Sequence, residues 1–184
     1  MSKRLGKREW IDAGLKALAA QGVDAVRVEV LAKALGVTKG SFYWHFKNRN
    51  ALLEAVLDAW KARATNDVIA QVEERNGDAR ARLRSLFTIV LESDGRLDRE
   101  IRAWAAKDSA ALAAIEHIDR RRLAYLESLF LGLDFTPIEA AARARLVYHA
   151  LIGQFTMGLP AKPQSRPSKQ FEIIFEMLVR NNKT

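Results

Sequence analysis

Residues 31–46, which read LAKALGVTKGSFYWHF, decide the fold of the N-terminal part of this chain. Apolar residues over 28–35 recur at the i, i+3, i+4 and i+7 spacing of an amphipathic helix, and Gly36 then breaks that helix. A tight turn leads into a further short helix, predicted over 39–46. Together with a first amphipathic helix over 7–21, this pattern predicts three short helices in a helix-turn-helix arrangement.

Helical periodicity continues to the C terminus, whereas strand signals are almost absent. A long helix is predicted over about 50–75, and a threonine–proline–glutamate capping box at 136–139 marks the start of a later one. The other helices are predicted over about 79–93, 98–106, 109–131, 137–157 and a segment after 167. The sequence therefore predicts an all-α fold of about nine helices, with an N-terminal domain over 1–48 and a larger helical domain over 49–184. Residues 49–75 form the connecting helix.

The positive charge of the chain is concentrated at its N terminus. The formal net charge is +8, and residues 1–50 carry ten lysines and arginines against four acidic residues. The remaining residues are nearly neutral. Such a distribution favours attraction of a polyanion, because phosphate neutralisation dominates sequence-independent binding to nucleic acids. A merely solubilising surface is the alternative explanation.

Several classes of protein are disfavoured by composition. The chain has no cysteine, which excludes disulfides and thiolate metal sites. Its three histidines, His45, His117 and His149, lack the spacing of metal-binding motifs, and phosphate loops and nucleophile elbows are absent. The longest uncharged stretch, 146–161, is too short to span a bilayer. We therefore expect a cytoplasmic protein that is not an enzyme, has no membrane segment and needs no cofactor or metal.

The third helix has two distinct faces. At 100° per residue, Phe42 and Phe46 share a side and are predicted to pack against the first two helices. The residues predicted to lie on or beside the outer face are Lys39, Gly40, Ser41, Tyr43 and Trp44. Each of these alone could be core, rim or a solvated charge. Together on one short helix in the most basic part of the chain, they indicate contact with duplex DNA.

These residues resemble a known family. Residues 31–46, preceded by Gly22 and followed by Arg49 and the triplet at 51–53, resemble the DNA-binding domain of the tetracycline-repressor (TetR) family. The specific match covers about residues 7–57, and beyond Trp60 the likeness is one of helix number and length. The resemblance implies a homodimer that binds a palindromic operator, usually as a repressor released by a small-molecule effector. Residues 49–184 would then form the ligand-binding and dimerisation domain.

The resemblance also implies roles for single residues. By analogy, Lys39, Gly40, Ser41 and Trp44 approach bases or the groove, whereas Thr38, Tyr43 and His45 hold phosphates. Lys47 belongs to the same predicted DNA-binding set, as does Arg49, which stands where the family often has lysine. The family's threonines at the start of the second helix are replaced here by Val26 and Arg27. A charge-assisted bond from Arg27 to phosphate would replace the DNA contact that the threonine hydroxyl makes in the family.

The C-terminal helices carry the candidates for effector binding and dimerisation. Candidate ligand-binding residues are Phe87, Trp104, His117, Tyr125, Tyr148 and Phe155. Candidate dimer contacts are Ala141, Ala144, Tyr148, Leu151, Phe155, Phe171, Ile174, Phe175 and Leu178. Core packing is the competing explanation for every residue in both sets, and apolar stripes at helical spacing do not distinguish an interface from an internal core.

A nonspecific or architectural DNA-binding protein without an effector remains as the alternative function, because a basic N-terminal segment would suffice for it. The large and nearly neutral remainder of the chain argues against this alternative.

Overall fold

The computed structural model describes residues 5–157 and 169–181, and every regular element within these residues is helical. This confirms the predicted all-α fold. The helices are α1 (Lys7–Gln21), α2 (Val28–Leu35), α3 (Lys39–Tyr43), α4 (Arg49–Lys61), α5 (Asp67–Glu74), α6 (Ala79–Leu91), α7 (Arg96–Ala105), α8 (Ser109–Leu131), α9 (Pro137–Thr156) and α10 (Lys169–Val179). A short 3₁₀ turn, Val23–Ala25, precedes α2.

Helical residues run without a break from Arg49 to Glu74, as the sequence predicts for the connecting helix, but the hydrogen bonding changes midway. Between α4 and α5 lies a π-helical segment, Ala62–Asn66. Arg122 on α8 donates from Nη2 to the Ala64 carbonyl at 3.2 Å and from Nε to the Thr65 hydroxyl at 3.1 Å. A π-helical turn leaves carbonyls without their usual partners, and Arg122 supplies one here.

The third helix is shorter than predicted. It ends at Tyr43, and the amides of His45 and Phe46 both bond to the Phe42 carbonyl, at 2.9 and 3.0 Å. The predicted continuation to Phe46 is therefore wrong, because the i→i−3 bond from His45 tightens the chain into a turn. Trp44 and His45 lie in that turn.

The chain divides into two compact units. One comprises Met1–Arg63 with Arg96–His117, and the other comprises Ala64–Gly95 with Ile118–Thr184. In the first unit, α1 packs against α2, α4 and α7. The grouping of α4 and α7 with the N-terminal helices depends on packing between segments distant in sequence. A functional boundary between residues 48 and 49 stays a prediction.

The second unit has its own apolar core. Its centre includes Leu83 on α6, Phe130 on α8 and Phe175 on α10, all fully buried. Gly95 approaches this unit's Phe155 closely, at a φ of +64°, and a Cβ at that position would overlap the phenyl ring. No helix among the described residues is long and apolar enough to cross a membrane.

Candidate nucleic-acid interface

Aromatic side chains anchor α3 to the first unit. Phe42 is fully buried, and its ring meets Trp10 of α1 edge-on with centroids 5.2 Å apart. Phe46 stacks on Phe42 at 5.4 Å and is also buried. The predicted inner face is confirmed. Because both rings are confined by packing, the orientation of α3 is set by the core of the unit.

The opposite side of α3 and the turn after it carry exposed aromatic residues. Trp44 has 83% of its surface exposed and Tyr43 has 63%. Tyr43 keeps one edge against Phe42, with centroids 5.2 Å apart, so its ring is oriented although its hydroxyl end is open. Thr38, Lys39 and Gly40 are also exposed, whereas Ser41 is half-buried. The predicted outward residues within 38–44 are therefore accessible to solvent, with Ser41 only partly so.

Two exposed cations flank this stretch in sequence. Lys47 follows α3, and Arg27 occupies the N-cap position of α2 without making a side-chain cap bond. The backbone of Arg27 is extended, with φ −117° and ψ 140°, as is usual for an N-cap residue. A guanidinium has only donors and cannot accept from the free amides at the start of α2, so contact with phosphate remains the predicted role of Arg27.

Arg49 and His45 have structural partners that the sequence did not reveal. Arg49 donates from Nε to the Val26 carbonyl and from Nη2 to the Val23 carbonyl, each at 2.6 Å. His45 Nε2 lies 2.9 Å from the Leu5 carbonyl. The bonds from Arg49 stabilise the turn before α2, and the contact of His45 stabilises the residues that lead into α1. Both residues brace the helix-turn-helix, and a direct role of either on DNA stays a prediction.

Lys39, predicted to lie at the groove, is ion-paired. Its Nζ is 2.9 Å from Glu29 Oε1 on α2. Glu29 was absent from the predicted site, and the signal that could have found it is its position two residues after Arg27, in the first turn of α2. Residues 38–44, which we call the predicted recognition surface, therefore lie beside an acidic side chain.

The candidate ligand-binding residues are divided between the two units. Trp104, which is buried, and His117, which is exposed, belong to the first unit, whereas the other four belong to the second. In the second unit, Phe87 meets Phe175 edge-on at 6.0 Å, and Phe155 is buried. Phe87 and Phe155 thus contribute to packing within that unit, and an effector contact for either stays a prediction.

The two candidate tyrosines are hydrogen-bonded to carboxylates. Tyr125 donates to Glu73 at 2.7 Å and Tyr148 to Asp119 at 2.6 Å. Burial raises the pKa of Tyr148 to about 12, and burial, followed by the bond to Glu73, raises the pKa of Tyr125 above its usual range. Both phenols are therefore neutral donors under ordinary conditions.

A groove of about 330 Å³ lies along α5 and α6 of the second unit. None of the candidate ligand-binding residues lines it. Its walls are formed by Val72, Arg75, Asn76, Ala81, Arg82, Arg84, Ser85 and Thr88. The sequence did not predict this groove, since its polar residues resemble an ordinary solvated helix face.

The candidate dimer contacts fall into three groups by exposure. Ala144, Tyr148, Phe155 and Phe175 are buried inside the chain itself, so core packing accounts for them and little of their surface remains for a partner. Ile174 is 55% exposed. The others are half-buried: Ala141, Leu151, Phe171 and Leu178.

Comparisons with known proteins place the helix-turn-helix in a family. Residues 11–56 match the family described as "Bacterial regulatory proteins, tetR family". The chain is 34% identical over 90 residues to the HTH-type transcriptional regulator AcrR of Shigella flexneri, a match that covers 47% of this chain and 40% of that protein. It is 42% identical over 53 residues to the class D tetracycline repressor protein of Escherichia coli, covering 29% of this chain and 24% of that protein. The chain thus spans less than half the length of these curated relatives.

A solved structure extends the likeness beyond the helix-turn-helix. The structure of a TetR-family transcriptional regulator from Mesorhizobium loti superimposes with a TM-score of 0.72 at 19% identity, covering 94% of this chain and 92% of that one. At this identity the comparison concerns the fold. Residues 11–56 of this chain are therefore similar to the TetR family of bacterial regulatory proteins, and the chain as a whole shares the fold of the Mesorhizobium loti structure.

Proposed function

We propose that this protein is a DNA-binding transcriptional regulator: a homodimeric repressor that binds a palindromic operator in the cytoplasm and is released by a small-molecule effector. The observation that carries the proposal is the contrast on α3 and its following turn. Phe42 is fully buried against Trp10, while Trp44 two residues later is 83% exposed. A rigidly anchored helix that presents large aromatic side chains to solvent is typical of a recognition surface.

The chemistry of residues 38–44 suits duplex DNA. Hydroxyls from Thr38 and Tyr43 can bond phosphate oxygens, and the ammonium of Lys39 can bond phosphates or base acceptors. Gly40 is exposed and has no side chain to keep the helix away from a groove. The net positive charge of residues 1–50 would draw the phosphate backbone towards this surface.

The homodimer is supported by exposed apolar side chains on α9 and α10, which on α9 share their face with the exposed Arg145 and His149. On α9, Ile138, Leu146 and Met157 at its C-cap are 84%, 64% and 72% exposed, and they fall within an arc of about 100°. The buried residues Ala144, Tyr148 and Phe155 lie on the opposite side of the same helix. An apolar helix face that its own chain leaves uncovered is a candidate interface.

The last helix repeats this arrangement. On α10, Ile173, Ile174 and Met177 are 61%, 55% and 71% exposed, while Phe175 is fully buried on the other side. Arg84 Nη1 lies 2.6 Å from Glu172 Oε1 on the side of α10. This ion pair helps to set the rotation of α10 about its axis and therefore the face that points outward. We propose that α9 and α10 of two chains pair as a four-helix interface related by a two-fold axis. Two-fold symmetry of the protein matches a palindromic site.

Release by an effector follows from the family and is proposed for the second unit. The class D tetracycline repressor protein is one of the relatives to which this chain is similar. Its name joins repression to tetracycline, a small molecule. A ligand that binds one conformation of the second unit more tightly would shift the population away from the form that fits the operator. By linkage, DNA would weaken effector binding by the same factor.

A selection experiment tests the DNA-binding function. Duplexes that bind the full chain are recovered from a random pool, and the affinity of a recovered duplex is compared with that of a scrambled duplex of the same composition at equal salt. We expect inverted-repeat half-sites, a preference of about a thousandfold or more, and two chains per duplex by light scattering. An architectural protein would bind both duplexes equally, and that result would exclude the proposed function.

Repression and release need a second experiment. A reporter gene carrying the recovered site is measured with and without the protein, in the presence of a set of small molecules. We expect lower expression with the protein and recovery with an effector that also weakens the purified complex. Higher expression with the protein would make it an activator instead.

A further inference from the structure

An acidic side chain lies beside the predicted recognition surface, where DNA phosphates are expected. Glu29 is in the first turn of α2, and its Oε1 is 2.9 Å from Nζ of Lys39, the first residue of α3. The side chains remain 59% and 60% exposed. The pair therefore lies at the surface and joins the starts of two successive helices of the helix-turn-helix.

Two of the three other acidic residues in the basic N-terminal segment, Glu9 and Asp12, have contacts within the scaffold. Glu9 accepts from the Gly6 amide at 2.9 Å, at the start of α1. Asp12 pairs with Arg63 at 2.6 Å and so links α1 to the segment after α4. Glu29 differs from both, because its partner is a cation of the predicted DNA-binding set.

Glu29 is a carboxylate at neutral pH. The hydrogen bond from Lys39 lowers its pKa, and a backbone bond and the charge of Lys39 act in the same direction. A negative charge at this place repels phosphate and offers Lys39 a partner inside the protein. An ammonium has three donors, so the pair with Glu29 leaves two of them for acceptors on DNA.

We propose that Glu29 is a specificity-determining residue that holds the Lys39 ammonium away from DNA phosphates and leaves it oriented for base acceptors in the groove. The inference rests on the proposed DNA-binding function. On a duplex without the operator sequence, a phosphate that approaches Lys39 would also meet the negative charge of Glu29, which weakens that contact. On the operator, Lys39 would reach a base while keeping Glu29. The pair therefore weakens sequence-independent binding more than operator binding.

A simpler role for Glu29 has to be separated from this one. An acidic residue in the first turn stabilises a helix through the helix dipole, and α2 lacks a side-chain cap from Arg27. Such a role would change the stability of α2 and would therefore change the affinities for all duplexes by the same factor. Comparing a selected duplex with a scrambled one distinguishes the two roles.

The test is Glu29→Gln, measured in the full chain with fluorescently labelled selected and scrambled duplexes over a range of salt concentrations. We expect tighter binding of the scrambled duplex, a smaller change on the selected duplex, and hence a lower ratio of the two affinities. One additional phosphate contact in each chain of the proposed dimer steepens the log–log salt slope by about 1.8. The gain on the scrambled duplex should therefore shrink about twelvefold between about 50 and about 200 mM salt.

The matched control is Asp58→Asn on α4, which removes the same charge from another lysine–carboxylate pair in the same unit. Asp58 lies 2.7 Å from Lys61 Nζ and is 73% exposed. This control should leave the ratio of the two affinities unchanged. Circular dichroism and thermal melting of both variants verify that the fold is retained.

A double-mutant cycle shows whether Glu29 acts through Lys39. In a Lys39→Ala background, Glu29→Gln should no longer steepen the salt slope on the scrambled duplex. Persistence of the full effect in that background would overturn the proposal, since Glu29 would then act by long-range repulsion alone. Equal gains on both duplexes would overturn it too. So would weaker binding of the selected duplex only, because Glu29 would then contact DNA itself. If the unmodified protein fails to prefer any selected duplex, the proposed function fails instead.

Discussion

The phenyl ring of Phe42 meets the indole of Trp10 edge-on, with ring centroids 5.2 Å apart and planes inclined by 74°. Both side chains are fully buried. This contact joins α3 to α1 and sets the direction in which Tyr43 and Trp44 point. The recognition surface therefore depends on a core contact made on the reverse side of the same short helix.

Phe42 and Trp44 are expected to respond differently to truncation. Phe42→Ala leaves a cavity against Trp10 and should lower the free energy of unfolding by about 3–5 kcal/mol. Trp44→Ala should change it by no more than about 0.5 kcal/mol, since the side chain is exposed. Operator affinity should nevertheless fall about tenfold or more for Trp44→Ala. Urea denaturation and duplex binding measure the two effects, and unchanged binding by the Trp44 variant would remove it from the recognition surface.

Arg27 is expected to contact phosphate in place of the family's threonines. Arg27→Ala should weaken selected and scrambled duplexes by a similar factor and reduce the salt slope by about 1.8, because each chain of the proposed dimer loses one phosphate contact. Tyr43→Ala serves as the comparison, since loss of an uncharged hydroxyl weakens binding with less effect on the slope. An Arg27 variant with normal affinity and an unchanged slope would show that this arginine does not compensate for the missing threonine.

Arg49 is expected to act on stability more than on DNA. Arg49→Ala leaves the Val23 and Val26 carbonyls without their side-chain donor and should cost about 2 kcal/mol of unfolding free energy. Arg49→Lys should recover only part of this loss, because an ammonium does not reproduce the planar guanidinium fork. The salt slope of duplex binding separates the roles: a slope reduced by Arg49→Ala but kept by Arg49→Lys would indicate a phosphate contact, because either cation can neutralise a phosphate.

The exposed apolar faces of α9 and α10 are expected to form the dimer. Leu146→Glu and Ile174→Glu should each shift the protein towards monomer in analytical ultracentrifugation, because they place a charge in the interface. The control is Leu112→Glu on α8, at a leucine that is 47% exposed in the other unit. This control should leave the association constant unchanged. Dimers that survive both Leu146→Glu and Ile174→Glu would require a different interface.

Tyr148 is expected to make stability fall in alkaline solution. Its pKa is raised from 10.0 to about 12, so the folded chain keeps the phenol proton that the unfolded chain loses above 10. The stabilisation is complete below pH 10 and is lost as the pH rises towards 12. Tyr148→Phe should flatten the decline of the urea midpoint in this range. Tyr125 contributes a slope of the same sign, so the decline should persist in part, and an identical profile in both proteins would contradict the assignment.

Local periodicity in the sequence was sufficient for the order of the helices and for the two faces of α3. Phe42 and Phe46 were predicted to be internal and Trp44 external, and burial confirms all three. Such predictions succeed because helix formation and amphipathicity depend on residues within a few turns of each other. The helix-turn-helix resemblance likewise rests on one contiguous stretch, which the family comparison confirms at residues 11–56.

Only the tertiary structure decided which of two apolar faces on α9 is internal. Tyr148 and Phe155 pack inside the chain, whereas Ile138 and Leu146 remain exposed, and both sets have helical spacing. It also decided that Arg49 binds carbonyls of the turn before α2 and that Glu29 pairs with Lys39. These contacts join residues far apart in sequence or on different helices, and helical periodicity carries no information about which helices meet.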